Sequence, residues 1–184
     1  MTLPRIGDLV SLPALEHLEL LAEPVARELS GWEHAAEVAV VEIDPDLADT
    51  AAMSEAYGVP LAASANCVVV SGRRGGEERV AACVVRADTR ADVNNLVKRR
   101  LDVRKASFLA MERAVEETGM EYGGITPVGL PRGEGTGWRL LVDAACVDID
   151  VAVIGSGIRR SKLLLPGRRL ADLPGAEVVE GLAT

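Results

Sequence analysis

The segment Gly123-Gly124-Ile125-Thr126-Pro127-Val128-Gly129 is the part of this sequence best suited to hold a ligand. Consecutive glycines permit positive φ and let a bound molecule approach the backbone closely. Pro127 fixes the exit and biases Thr126 toward an extended conformation. Backbone N–H groups in such a turn bind a carboxylate, carbonyl or phosphate oxygen. The same residues also suit an ordinary tight connection between a helix and a strand. Gly155-Ser156-Gly157 follows the apolar run VAVI, the position where open α/β sheets place ligand loops. It lacks the full dinucleotide fingerprint, so no nucleotide cofactor is expected. Asp143 closes the run LLVD, where a carboxylate holds a substrate ammonium group or fixes a loop by accepting N–H bonds. Arg159 and Arg160 present guanidinium forks that suit phosphate.

Other chemistries are poorly supplied. His17 and His34 are the only histidines, each with a glutamate close by in sequence. Candidates for a Ser-His-Asp or Cys-His catalyst are therefore few. Cys67, Cys83 and Cys146 are scattered among apolar residues with no C-x-x-C pair, which reads as buried, reduced cysteine and not as a zinc site. No metal and no cofactor are expected. The formal charge of −8 argues against sequence-independent binding to long nucleic acid, DNA included, although Lys98-Arg99-Arg100 to Lys105 and Arg159 to Arg169 form local basic patches. No apolar run approaches the roughly 18 residues of a membrane span, and the N-terminus lacks the basic-then-apolar pattern of a secretory signal. A cytoplasmic protein is expected.

Apolar residues make up 48% of the chain and aromatics only 3%, so the core is built from Val, Leu, Ile and Ala, as in a sheet covered by helices. Leu15, Leu18, Ala22, Val25 and Leu29 predict an amphipathic helix over 12–29, kinked or split at Pro24. A strand over 38–43 and a helix over 47–57 follow. Two β-branched runs, 66–71 and 78–86, flank Gly72-Arg73-Arg74-Gly75-Gly76 and predict an antiparallel hairpin. A helix over 90–100 with Asp88 or Thr89 as N-cap, a short strand over 104–108 and a helix over 111–118 come next. The Gly- and Pro-rich stretch 122–137 is neither helix nor central strand. Strands over 139–142, 151–154 and 162–165, a short helix over 166–173 and a strand over 177–179 complete the order. Because hairpins interrupt the alternation, the predicted fold is α/β of the α+β kind: a mixed, largely antiparallel sheet flanked by helices, not a Rossmann fold.

Taken in order, the apolar hairpin, the helix, the YGGITPVG loop, the LLVD strand and the IGSGIRRSKL segment resemble the YbaK/EbsC family of aminoacyl-tRNA deacylases. The same domain occurs as the editing insertion of bacterial prolyl-tRNA synthetases. The resemblance is strongest over 66–184 and vaguer over the helix-strand-helix part at 1–65; residues 1–184 are read as one domain. It implies trans-editing: hydrolysis of the ester that joins a mischarged amino acid to the 3′ end of tRNA, with a synthetase as a further partner and no membrane. Through the family's G-x-x-x-P element it implies that Gly123, Gly124, Ile125 and Thr126 place the aminoacyl carbonyl. Pro127, Gly129, Asp143, Gly155, Ser156, Gly157 and Arg159 are implied in binding substrate. The family has no nucleophile triad, and the RNA 2′-hydroxyl assists.

One position departs from the pattern. Typical members carry a lysine at the start of the first hairpin strand, in a sequence such as Phe-Lys-Thr-Leu. The matching residue in Ala65-Asn66-Cys67-Val68 is Asn66, which donates and accepts hydrogen bonds but carries no charge. Asn66 is accordingly the last catalytic candidate. It also opens the alternative reading, a weakly active or inactive module of the same fold that senses an amino acid or aminoacyl-tRNA.

Overall fold

Gly75 and Gly76 both take positive φ, 61° and 86°, and close a two-residue turn between β3 (Ala65–Arg74) and β4 (Glu77–Arg86). These strands form the long antiparallel hairpin that the β-branched runs predict, with Ala65 opposite Arg86 and Arg74 opposite Glu77. The computed structural model describes residues 2–131 and 137–184, so residues 132–136 of the Gly- and Pro-rich stretch lie outside the described part.

In chain order the other strands are β1 (Leu12–Pro13), β2 (Ala39–Glu42), β5 (Ala106–Phe108), β6 (Arg139–Asp143), β7 (Ala152–Gly155), β8 (Ser161–Leu165) and β9 (Ala176–Val179). They form two sheets. One has the order β5-β3-β4-β6-β9, with β6 parallel to both β4 and β9. The other, β1-β2-β8-β7, is antiparallel throughout. A parallel bridge from Ser64 to Val153 joins the sheets where β3 begins and β7 runs. The helices are α1 (Glu23–Gly31), α2 (Thr50–Tyr57), α3 (Lys98–Leu101), α4 (Met111–Thr118) and α5 (Ala144–Val147). The predicted mixed α/β class therefore holds, with two sheets in place of one.

Strand β8 shows how the layers are filled. Leu163 and Leu165 join the largest core with Leu29, Leu140 and Leu170. Leu164 points the other way, into a core with Val41, Met53 and Val153 that α2 covers. A third core, with Val70, Cys83, Leu101 and Leu141, lies against α3.

Three local expectations change. The predicted 12–29 helix is two 3₁₀ turns, Ala14–Glu16 and Leu18–Leu20, followed by α1. Pro24 lies in the first turn of α1, where its missing N–H is not needed, so of the two expectations the segment is split beside Pro24 and not kinked by it. The 90–100 helix begins at Asp92, whose carboxylate accepts the Asn95 N–H, and opens with a wide π-type turn over Val93–Val97. The 166–173 helix is a single 3₁₀ segment, Gly167–Leu170.

Candidate functional site

A cavity of about 510 Å³ opens where the two sheets meet. One wall is the start of β3, with Ala65, Asn66 and Cys67. The end of β7, Val153 to Gly155, forms the second, and the loop residues Tyr122, Gly123 and Ile125 the third. The segment leading into α2 closes the fourth side with Ala48, Asp49 and Thr50. Sequence reasoning expected one helix over 47–57. Instead a 3₁₀ turn, Pro45–Leu47, is followed by a break, and α2 restarts with Asp49 as N-cap, accepting the Ala51 N–H at 3.0 Å. That break leaves the Ala48 carbonyl free to face inward.

The two glycine motifs meet because their backbones pack directly on each other. The Gly157 N–H donates to the Gly124 carbonyl at 2.8 Å, and the Glu121 N–H donates to the Gly157 carbonyl at 2.8 Å. A Cβ on Gly155 would lie 2.4 Å from the Gly124 carbonyl oxygen, and one on Gly124 would lie 2.7 Å from the Ile158 nitrogen. A side chain on Gly124 would therefore strike this seam and not enter the cavity. Gly123, at φ 81°, turns the loop toward the cavity. Neither the Gly123 nor the Ile125 N–H is taken by a backbone carbonyl among the described residues.

Of the residues singled out from the sequence, Asn66, Gly123, Ile125, Gly155 and Arg159 line the cavity. Thr50 Oγ1 donates to Asn66 Oδ1 at 3.0 Å, which leaves the Asn66 amide nitrogen as a donor. The other residues do not line the cavity. Thr126 is fully buried. Ser156 Oγ lies 2.7 Å from Ser161 Oγ, which in turn donates to the Leu20 carbonyl. The Cβ position of Gly157 abuts Ala22, that of Gly129 abuts the Pro24 backbone, and Pro127 is buried. Asp143 caps α5 by accepting the Ala145 N–H and also accepts the Ala183 N–H, both at 2.8 Å. Arg159 spans the rim, donating to the carbonyls of Pro45 at 2.9 Å and Tyr122 at 3.3 Å.

Sequence reasoning missed the cavity's one fully enclosed charge. Lys162, on β8, is only 6% exposed. Its Nζ donates to the Ala48 carbonyl at 3.0 Å and, more weakly, to the Gly123 carbonyl at 3.4 Å. Burial lowers its pKa from 10.5 to about 8; the Arg159 charge pushes the same way and Asp49 opposes both. A lysine at the head of SKLLL reads as a solvated strand start. The signal was the strand itself, apolar on both faces and therefore buried from its first residue. Cys67 also lines the cavity, but burial pushes its thiol well up, away from the thiolate that a nucleophile needs. Among the described residues no group of three or more His, Cys, Asp or Glu is placed to hold a metal ion, and no helix is long and apolar enough to cross a membrane.

This geometry can be set beside known proteins. A candidate trans-editing enzyme for prolyl tRNA synthetase has a similar structure, with a TM-score of 0.70 and 22% identity over 86% of this chain and 94% of that one. A hypothetical protein is similar at a TM-score of 0.72 and 22% identity, over 86% of this chain and 98% of that one. At these identities the likeness concerns the fold. No curated protein matches the chain. The model of the aminoacyl-tRNA editing domain matches residues 44–173, a span that takes in the α2 segment, β3, the 122–125 loop, β7 and Lys162, and so every wall of the cavity. The chain belongs to the aminoacyl-tRNA editing domain family.

Proposed function

We propose that this protein is a trans-editing hydrolase that deacylates mischarged aminoacyl-tRNA at its 3′ end, with the whole chain acting as one editing unit in the cytoplasm. The observation that carries the reading is the cavity itself. In a chain of the editing family it joins unspent backbone donors on the 123–125 loop to an oriented amide on β3.

In the reaction, a water oxygen adds to the ester carbonyl carbon and gives a tetrahedral oxyanion. The bond from that carbon to the ribose oxygen then breaks. The ribose oxygen takes up a proton, and free amino acid and uncharged tRNA leave. The ester is already activated, so the protein's part is to position it and to stabilise the oxyanion. The Ile125 N–H and the Asn66 amide are the donors assigned to the carbonyl oxygen. Thr50 holds Asn66 in the orientation this requires. The ribose 2′-hydroxyl assists the attack, which suits a site without a histidine in its lining. A second reading, a binding module without turnover, is favoured by the uncharged Asn66 where the resemblance leads one to expect the family's lysine.

The test is a panel of mischarged tRNAs incubated with wild-type protein and with Asn66→Ala. Hydrolysis of at least one species, slowed about a hundredfold in the variant, is the expected result. No hydrolysis of any species, together with a rise in Tm on adding charged tRNA, would replace this reading with the binding module.

A further inference from the structure

We infer that Lys162 selects the acyl group by pairing with a carboxylate, so that the cavity takes aminoacyl esters with an acidic side chain. The inference rests on the deacylase reading of the same cavity and goes beyond it by naming the substrate class.

Lys162 and Asp143 are the two charged residues fully buried among the described residues. Asp143 is satisfied by two backbone N–H groups. The ammonium of Lys162 has three N–H bonds and gives two of them to the carbonyls of Ala48 and Gly123. Among the described residues no carboxylate lies within ion-pair distance of it. One donor and a full positive charge are therefore left on a group that lines the cavity. Packing alone does not call for a cation there. Leu164, the next residue on that face of β8, and Val41, opposite in register, are aliphatic. An unpaired buried ammonium is costly, and an entering anion removes the cost.

The surrounding charges orient the ligand. Asp49, the exposed cap of α2, lines the cavity next in sequence to Ala48, whose carbonyl holds Lys162, and Arg159 lines it too, held by two carbonyls. Among the lining residues Asp49 is the one carboxylate, set against the cations Arg159 and Lys162. An α-ammonium group fits beside Asp49 and a carboxylate beside Lys162. In an aminoacyl ester the α-carboxyl is already esterified, so that carboxylate has to belong to the side chain. Met53 and Val153 add apolar lining, against which a neutral isostere is a poor substitute for a charge paired with Lys162.

The test compares aspartyl- with asparaginyl-tRNA and glutamyl- with glutaminyl-tRNA, using full-length wild-type protein and Lys162→Met. The expected result is a kcat/KM at least about tenfold higher for each acidic member, abolished in the variant by loss on the acidic member alone. Equal rates within each wild-type pair, or a uniform loss over all four in Lys162→Met, would overturn the inference; uniform loss would place Lys162 on the ester carbonyl instead. If none of the four is hydrolysed, the deacylase reading fails for these substrates, and the inference is judged by calorimetry with 3′-amide-linked aspartyl- and asparaginyl-adenosine. A preference of about tenfold for the aspartyl compound, falling as pH rises past about 8 while asparaginyl binding stays flat, upholds it. Equal affinities overturn it.

Discussion

Keeping an ammonium ion beside Met53 and Val153 makes Lys162 a cost to the fold at neutral pH. The unfolded chain holds the lysine proton up to its ordinary pKa of 10.5, and the folded chain only up to about 8. Between these values the unfolded state binds more protons, so stability rises with pH across that window and the cost is fully present below it. The difference is worth about 3 kcal/mol at pH 7. Lys162→Met removes it but strips the Ala48 and Gly123 carbonyls of a donor, at about 1 kcal/mol each. The variant is therefore expected to be about 1 kcal/mol more stable than wild type at pH 7 and about 2 kcal/mol less stable above pH 10.5. Urea melts at the two pH values measure this. A variant less stable at both would show that Lys162 is a structural strut with no desolvation cost. Asn66 is the other informative residue: its place in the hairpin was legible from the β-branched run, whereas its partner Thr50 was not. The Thr50–Asn66 bond joins residues 16 apart through a tertiary contact that no local pattern encodes.

Among the elements, the seam between the 123–125 loop and Gly155 to Ile158 sets the cavity's shape. Its glycines serve contact and not flexibility: Gly155 has ordinary negative φ, yet a Cβ there would lie 2.4 Å from one carbonyl oxygen and 2.8 Å from the next. Both obstacles are backbone, so the loop must move. Gly155→Ala is expected to cost about 2–3 kcal/mol and to lower kcat/KM by shifting Gly123 and Ile125, while Gly76→Ala, in an open hairpin turn, costs only the positive φ, about 1 kcal/mol. Paired thermal melts and deacylation rates check this; equal losses in the two variants would mean the seam is loose. The hairpin was readable because periodicity and turn chemistry agree over both runs. The 12–29 helix was misread for the opposite reason. Its apolar spacing suits a helix and the split expected at Pro24 is present, but the residues before it form 3₁₀ turns, and the Ala22 N–H finds its acceptor in Ser156, far along the chain. The division into two sheets was likewise invisible, since β2 takes its partner from β8, more than a hundred residues later.

Over the whole molecule, the net charge of −8 and the spending of arginines on internal pairs limit how RNA can be held. Arg113 bridges Glu78 and Glu117, Arg139 pairs with Glu177 across β6 and β9, and Arg169 ties Glu37 to Asp172. The arginine hydrogen bonds hold Glu37, Glu78 and Glu177 below the usual carboxylate range, so these pairs persist at neutral pH. Part of the basic character seen at 159–169 is therefore neutralised: Arg168 and Arg169 both meet Glu37. The patch at 98–105 lies beyond the far end of β3. Gly72, which abuts the Lys105 backbone, is six residues from Asn66, roughly 20 Å along an extended strand. Arg159 lines the cavity and Arg90 lines an adjoining groove that shares Asn66 and Val68 with it, so one or two phosphates can be met there. The affinity for charged tRNA should then fall with salt on a log–log slope of only about −1 to −2, and a short acylated 3′-terminal oligonucleotide should bind about as well as the full tRNA. Titrations from low to moderate salt measure both. A slope near −4 with a clear advantage for full tRNA would show that the 98–105 patch grips the acceptor stem, and that recognition extends well past the acylated end.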